Sequence, residues 1–280
     1  MELFDYVIVG GGAAGCVLAN RLSADGKQRV LMLEAGGEPA SRWIAIPAGF
    51  SKLLTNKRYN WLFQTEPEPN THDRRISVPR GRGLGGSTLI NGMIYVRGQR
   101  EDYDSRERAG ATGWSYKDVE PYFRKLENYA TGGAMRGKEG PVQLEQVSER
   151  FPIAERFLAA AADDGQPMNA DYNGDDQEGF GYYQVNQRRG RRWSAYDAYL
   201  QPARHRSNLV VVTDAHVQRL RFEGTTRSSK SSSLPAPFNR LSSSNSRASV
   251  AGMCSTRLES RCAWSRQASA RTTSTTTPRA

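Results

Sequence analysis

Three glycines near the start of the chain, Gly10, Gly12 and Gly15, have the spacing with which a backbone binds a pyrophosphate. The first glycine allows a tight turn, the second lets the backbone approach the anion, and the third lets a helix pack close to a strand. Glu34 follows nineteen residues after Gly15, where its carboxylate can accept hydrogen bonds from a ribose. These residues together predict a dinucleotide-binding site.

The segments on either side of these glycines are the ones needed to position them. Residues 6–9 are apolar and mostly β-branched, which is typical of a buried parallel strand. A helix is predicted from near Ala13, and the free N–H groups of its first turn, including that of Ala14, would face the pyrophosphate. Residues 29–33 predict a second strand that ends at Glu34. A glycine-rich turn without a ligand is the alternative, and the strand, the helix and the carboxylate argue against it.

A second glycine-rich segment, from Gly81 to Gly92, contains five glycines and the small residues Ser87 and Thr88. Glycines let a backbone lie directly against a flat or anionic ligand. The Gly85–Gly86 pair precedes two apolar residues, and this order predicts the N-terminus of a further helix. From this segment alone, a flexible loop is an equal alternative.

Residues 79–104 resemble the first signature of the glucose–methanol–choline (GMC) oxidoreductases, in the branch of choline and aliphatic alcohol dehydrogenases. The resemblance extends over residues 5–222 and includes the segments 113–116, 121–125, 174–184 and 190–196. It implies an α/β fold, namely an incomplete Rossmann-type FAD-binding domain with the start of an α+β substrate domain.

The resemblance also implies a division of the chain and a set of FAD-binding residues. The FAD-binding domain would comprise residues 1–126 and 191–222, and the substrate domain would begin over 127–190. The first glycine motif and Glu34 would bind the pyrophosphate and ribose. The second glycine segment would lie along the pyrophosphate and flavin, and the backbone of Val217 would contact the adenine. The implied residues are Gly10, Gly12, Ala13, Ala14, Gly15, Glu34, Ala35, Gly85, Gly86, Asn91, Gly92, Met93, Val96 (near the flavin ring) and Val217.

The remaining elements come from simple patterns. A helix is predicted around residues 157–162 and a stop at Gly165, and two adjacent strands are predicted over 208–213 and 216–222.

Some relatives attach the flavin through a histidine in the second glycine segment. Here apolar residues precede Asn91, so we expect FAD to be bound non-covalently.

The composition excludes several classes of protein. No run of eighteen apolar residues is present, and the N-terminus lacks the pattern of a signal peptide, so we expect a cytoplasmic protein. Peripheral association with the inner face of a membrane stays open. The three cysteines form no disulfide framework, and Cys16 in the first helix is expected to be a buried thiol. The three histidines are isolated in the sequence, and no metal-ligand spacing is present.

The net charge of +10 lies mostly in the C-terminal tail, where residues 223–280 contain nine Lys or Arg and two Glu. This tail is rich in Ser, Thr and Arg, a composition typical of disorder.

Reading codons one base out of phase across residues 238–250 permits Gln-Ser-Pro-Gln-Leu-Leu-Gln-Leu-Ser-Gly-Val-Gly, which resembles the second GMC signature. We therefore expect a reading-frame shift after about residue 222, with the tail translated out of frame.

The resemblance implies an FAD-dependent oxidoreductase that transfers hydride from a CH–OH donor, such as choline or an aliphatic alcohol, to the flavin. The histidine that takes the hydroxyl proton belongs to the C-terminal part of the family, so no catalytic residue is assigned and this chain is expected to be inactive. The alternative is a non-catalytic FAD-binding fragment or an interaction protein. A nucleic-acid-binding role for the basic tail is disfavoured, because the tail has only Phe238 and Trp264 as aromatic residues. The electron acceptor and the oligomeric state stay open.

Overall fold

Residues 2–219 are described by the structure, a computed structural model. The strands are β1 Tyr6–Val9, β2 Val30–Leu33, β3 Phe63–Gln64, β4 Ser77–Val78, β5 Glu127–Asn128, β6 Val142–Gln143, β7 Glu145–Gln146, β8 Gln184–Val185, β9 Gln187–Arg188, β10 Arg191–Arg192 and β11 Leu209–Val212. The α-helices are α1 Ala13–Leu22, α2 Arg42–Ala45, α3 Phe50–Leu53, α4 Arg100–Arg108, α5 Tyr116–Leu126, α6 Pro152–Asp163 and α7 Gln201–Ala203. Short 3₁₀ helices span Pro47–Gly49, Pro69–Thr71 and Gly86–Leu89, and a π-helix spans Tyr196–Leu200.

A parallel sheet in the order β1-β2-β11 confirms the predicted strands at 6–9, 29–33 and 208–213. All four residues of β2 are buried, because this strand is paired on both edges and covered on both faces. Helix α1 covers one face, where Cys16 and Met32 are fully buried, whereas Leu31 and Phe4 lie on the other. Burial raises the pKa of the Cys16 thiol to about 12, so this cysteine is a core residue, as predicted.

The predicted strand over 216–222 is wrong for the residues that the structure describes. Residues 216–219 have no strand conformation, and residues 220–222 lie outside the described part. The chain turns after β11, because Asp214 N–H donates to Gly36 O at 3.0 Å and Ala215 N–H donates to Glu34 O at 2.8 Å. Val217 then packs against the face of the sheet that carries Leu31. These contacts lead the chain over the end of β2 rather than back alongside β11.

The second half of the described chain contains short two-stranded pairs and two longer helices. Helix α5 begins at a capping box in which Ser115 and Asp118 satisfy each other's backbone N–H groups. Helix α6 begins with Pro152 at its first position, and Gly165 follows its end with φ +78°, so the predicted helix and stop are confirmed. Within residues 2–219, no helix combines the length and apolar composition needed to cross a membrane.

Candidate cofactor site

The first glycine motif forms an open turn between β1 and α1. Gly10 has φ +96°, a conformation that favours glycine, and Gly12 is the N-cap of α1. No atom lies within 4 Å of where a Cβ at either position would stand. Ala13 and Ala14, in the first turn of α1, are also exposed. The backbone N–H groups at the positive end of this helix therefore border open space that an anion can enter.

Gly15 has the opposite environment within the same motif. A Cβ at this position would lie 2.0 Å from the carbonyl oxygen of Gly10, because α1 packs directly on the turn that precedes it. Gly15 is thus needed for packing, whereas Gly12 borders the open space.

We expect Gly15→Ala to lower the free energy of unfolding by about 1–3 kcal/mol, because the new methyl group collides with backbone that cannot move aside. In an unhindered helix the same change would stabilise the protein by about 0.5–1 kcal/mol. Urea denaturation followed by circular dichroism measures the difference. Gly12→Ala is the matched control. A Gly15→Ala variant that is as stable as Gly12→Ala, or more stable, would contradict the close packing of α1 on the preceding turn.

The second glycine segment lies against the first. Gly85 N–H donates to Gly11 O at 2.7 Å, and a Cβ on Gly86 would lie 2.7 Å from the Cα of Gly12. Gly85 and Gly86 have φ +110° and +54°. The predicted helix N-terminus here is a single 3₁₀ helix, Gly86–Leu89, since these left-handed conformations interrupt a regular α-helix. The two glycine segments thus meet at the N-terminus of α1, and we call this arrangement the glycine cradle.

Glu34 holds the glycine cradle together, a role that the sequence did not reveal. Its buried carboxylate accepts hydrogen bonds from the N–H groups of Gly11 at 2.6 Å, Gly36 at 2.7 Å and Gly83 at 3.0 Å. These charge-assisted bonds satisfy the buried charge and join both glycine segments to the end of β2. The three N–H groups leave part of the acceptor capacity of the carboxylate unused, and its contact with a ribose stays a prediction.

A buried arginine, which no sequence pattern predicted, fixes the chain around Asn91 at the end of the second glycine segment. Arg192 is buried, and its guanidinium donates to Asn91 Oδ1 at 2.6 Å, to Thr88 O at 3.1 Å and to Ile44 O at 2.9 Å. Met93 is buried with φ +63°. Gly92 is exposed, and no atom lies within 4 Å of its missing Cβ. This segment therefore presents backbone to solvent beside a fixed Asn91.

The other predicted residues surround the cradle less closely. Ala35 follows Glu34 and accepts a hydrogen bond from Arg82 at 3.2 Å, and Val217 follows the turn that is bonded to the Glu34 carbonyl. Val96 follows the second glycine segment by four residues, and its side chain is 53% exposed. No hydrogen bond within the described part links Val96 to the cradle. Its place near a flavin stays a prediction.

No group of His, Cys, Asp and Glu side chains within residues 2–219 could hold a metal ion. Of the three histidines, only His216 has an aromatic neighbour in that range, Trp61, with ring centroids 5.6 Å apart. The site is therefore built from backbone N–H groups, one carboxylate and one positioned amide.

Comparison with known proteins identifies the family. The model of the GMC oxidoreductases matches residues 4–235. The chain belongs to the GMC oxidoreductase family. The predicted resemblance and the fold class, a Rossmann-type FAD-binding domain, are thus confirmed, whereas the domain boundaries stay predictions.

Curated GMC relatives share the N-terminal three quarters of this chain. It is 47% identical over 210 residues to the oxygen-dependent choline dehydrogenase of Rhizobium etli (strain ATCC 51251 / DSM 11541 / JCM 21823 / NBRC 15573 / CFN 42), covering 74% of this chain and 38% of the relative. It is 41% identical over 223 residues to the alcohol dehydrogenase [acceptor] of Pseudomonas putida, covering 79% of this chain and 40% of the relative. The chain thus spans about two fifths of the length of these relatives.

Solved structures of two oxidases match over a similar share of this chain. The pyridoxine 4-oxidase of Mesorbium loti matches with a TM-score of 0.74 and 38% identity, over 78% of this chain and 43% of that protein. A formate oxidase matches with a TM-score of 0.70 and 27% identity, over 79% of this chain and 40% of that protein.

Proposed function

We propose that this chain is the FAD-binding part of an oxidoreductase that acts on CH–OH donors, an alcohol such as choline or an aliphatic alcohol. The observation that carries the proposal is the glycine cradle, in which two glycine segments meet at the open N-terminus of α1. A pyrophosphate placed there gains the N–H groups and the positive end of the helix. The relatives' names, choline dehydrogenase and alcohol dehydrogenase, support the substrate class.

Each part of the cofactor would then have a partner in this chain. The N–H groups at Gly12, Ala13 and Ala14 would bind the pyrophosphate, and the free lone pairs of Glu34 would accept from the ribose. Asn91, held by Arg192, would orient the segment beside the flavin. When bound, FAD supplies the hydride acceptor for alcohol oxidation. The residues of this chain bind and orient it.

The proposed attachment of FAD is non-covalent. The two side chains that precede Asn91, Leu89 and Ile90, are apolar and buried. Neither offers a nucleophile for a covalent bond to a flavin. Extraction of the protein with acid should therefore release the whole flavin into the supernatant.

We also propose that the coding sequence changes frame after about residue 222, so that the intact gene encodes a longer enzyme. Residues 220–280, including the predicted out-of-frame tail, lie outside the described part. The relatives are more than twice as long as the matched region, which supports a longer product. That product would be cytoplasmic, with an electron acceptor and an oligomeric state still to be identified.

Sequencing the gene across codons 215–280 and beyond, followed by expression of both reading frames, tests the proposal. We expect the 280-residue chain to retain FAD without oxidising alcohols. The frame-restored product should reduce an artificial electron-accepting dye with choline or an aliphatic alcohol as donor. Turnover by the 280-residue chain at a comparable rate would contradict the assignment of the catalytic residues to the longer product.

If the frame stands as written and the chain retains FAD without turnover, the alternative of a non-catalytic FAD-binding protein is favoured. The isolation of the histidines in the described part is compatible with this alternative as well as with the proposed function. Failure of both products to bind FAD would overturn the proposed function.

A further inference from the structure

An arginine-rich hairpin stands out from the rest of the described surface. Residues 188–192 read Arg-Arg-Gly-Arg-Arg. Strands β9 and β10 pair antiparallel, with Arg188 directly opposite Arg191. The two loop residues, Arg189 and Gly190, have φ +53° and +70°, which produces the tight reversal. Like charges directly opposite each other in a sheet are destabilising. The hairpin therefore concentrates positive charge at an energetic cost.

Two arginines of the hairpin, Arg188 and Arg191, form no ion pair within the described part. The salt bridges within residues 2–219 include neither Arg188 nor Arg191. Glu145 is near the hairpin, but its carboxylate accepts from the backbone N–H groups of Arg189 and Gly190. The arginine side chains are thus left without a counter-ion from this part of the chain.

The hairpin borders a cavity of about 390 Å³ that collects further arginines. Arg42 of helix α2 and the buried Arg192 line it together with Arg188 and Arg191. Among the described residues that line the cavity, Asp197 is the one acidic residue. Its carboxylate accepts hydrogen bonds from the backbone N–H of Ser194 at 2.8 Å and from the hydroxyl of Ser194 at 2.5 Å. None of the lining residues belongs to the glycine cradle.

Arg192 shows how incompletely the charge is balanced. Its guanidinium is bonded to two carbonyl oxygens and an amide oxygen, and its Nη2 has no hydrogen-bond partner within residues 2–219. Burial without an ion pair lowers the pKa of Arg192 to about 10. An anion in the adjacent cavity would supply the charge that the protein does not.

We propose that this cavity binds a phosphate-bearing small molecule through Arg42, Arg188 and Arg191, with Arg192 contributing positive charge from beneath. Guanidinium groups match phosphate in geometry and bind it with paired hydrogen bonds. The volume lies in the range of small-molecule sites. Trp193 in the lining, over whose ring the Arg188 guanidinium lies at 5.0 Å, gives an aromatic surface for the organic part of the ligand. The proposal is independent of alcohol oxidation.

The test measures binding of inorganic phosphate and of phenyl phosphate to the 280-residue chain by calorimetry. Ionic strength is held constant with sodium chloride. The chain is first saturated with FAD and then freed of unbound FAD by gel filtration, so that phosphate cannot report on the glycine cradle. We expect the double variant Arg188→Gln/Arg191→Gln to weaken binding by about tenfold or more, since two charge-assisted contacts are lost. The control, Arg74→Gln/Arg156→Gln, removes two exposed charges outside the cavity and should bind as the unmodified chain does.

Thermal unfolding separates a binding role from a structural one. Without phosphate, the hairpin variant should unfold at the same temperature as the unmodified chain or higher, because a like-charge pair is removed. Phosphate should raise the unfolding temperature of the unmodified chain and of the control, but not of the hairpin variant.

The two probes distinguish the source of the phosphate. Tighter binding of phenyl phosphate would assign a phosphate ester, and equal binding would assign free phosphate. The proposal is overturned if neither probe binds, or if both double variants lose binding equally. In either case the FAD binding of the same samples reports separately on the proposed function.

Discussion

Glu127→Gln is expected to lower the free energy of unfolding by about 3–5 kcal/mol, since it leaves the buried Arg97 without a counter-ion and removes one of the two carboxylates bound to Arg136. Glu127 is completely buried and receives Arg97 through two bonds, Nε at 2.6 Å and Nη2 at 2.7 Å. Arg136 donates to the same carboxylate from Nε at 2.9 Å, and Tyr95 from its hydroxyl at 2.6 Å. The total stability of a domain is only about 5–15 kcal/mol, so this loss is a large part of it.

Urea denaturation of the 280-residue chain at neutral pH measures this effect. Glu66→Gln is the matched control, because Glu66 forms an exposed pair with Arg75 at 3.4 Å. Such surface pairs contribute about 0–1 kcal/mol. Equal stability of the two variants would show that the buried carboxylate is not required.

The same carboxylate predicts how stability depends on pH. Burial opposes its ionisation, but the hydrogen bonds from Arg97, Tyr95 and Arg136 outweigh burial and hold the pKa of Glu127 below its usual value. The ionised Glu127 therefore makes its full contribution to the free energy of unfolding above about pH 4.3, the pKa of a glutamate in the unfolded chain. This contribution is lost as pH falls through the lower pKa that Glu127 has in the folded protein. Unmodified protein should lose this contribution in acid, and Glu127→Gln should lack that part of the pH dependence. An identical acid profile for both would contradict the assignment.

Gly12→Ala should weaken FAD binding by about 100-fold, which corresponds to about 2.8 kcal/mol, while leaving the fold intact. Gly12 has φ −70° and ψ −169°, a conformation open to alanine, and no atom lies within 4 Å of the added methyl group. That group instead occupies the space in front of α1 through which a pyrophosphate must approach. Titration of FAD, followed by the quenching of its fluorescence, measures the affinity.

Gly133→Ala is the matched control for this experiment. Gly133 also has open space around its missing Cβ, lies outside both glycine segments and does not have a positive φ. It should retain both stability and FAD affinity. If Gly12→Ala binds FAD as tightly as Gly133→Ala, the anion does not lie at the N-terminus of α1 and the proposed cofactor position is wrong.

The elements of the first 34 residues could be predicted from the sequence because their determinants are local. An apolar run of four residues, a glycine turn and a helical period specify β1, the cradle entrance and α1 without reference to distant residues. One prediction about local structure was wrong for a non-local reason. Residues 216–219 form no strand, since Ala215 is bonded to Glu34. The helix predicted after Gly85 does begin there, but it is a short 3₁₀ helix because Gly85 and Gly86 have left-handed conformations.

The polar partners of the site were decided by the tertiary structure alone. Gly83, which donates to Glu34, is 49 residues away in the sequence, and Asn91 is 101 residues from Arg192. Arg97 reaches Glu127 across 30 residues. Sequence periodicity determines which faces of local elements are apolar, and the spacing of the glycines and of Glu34 identified the residues that could bind a dinucleotide. The direction of a buried polar side chain depends on which distant donor the folded chain brings to it, because an unpaired buried charge is too costly to persist.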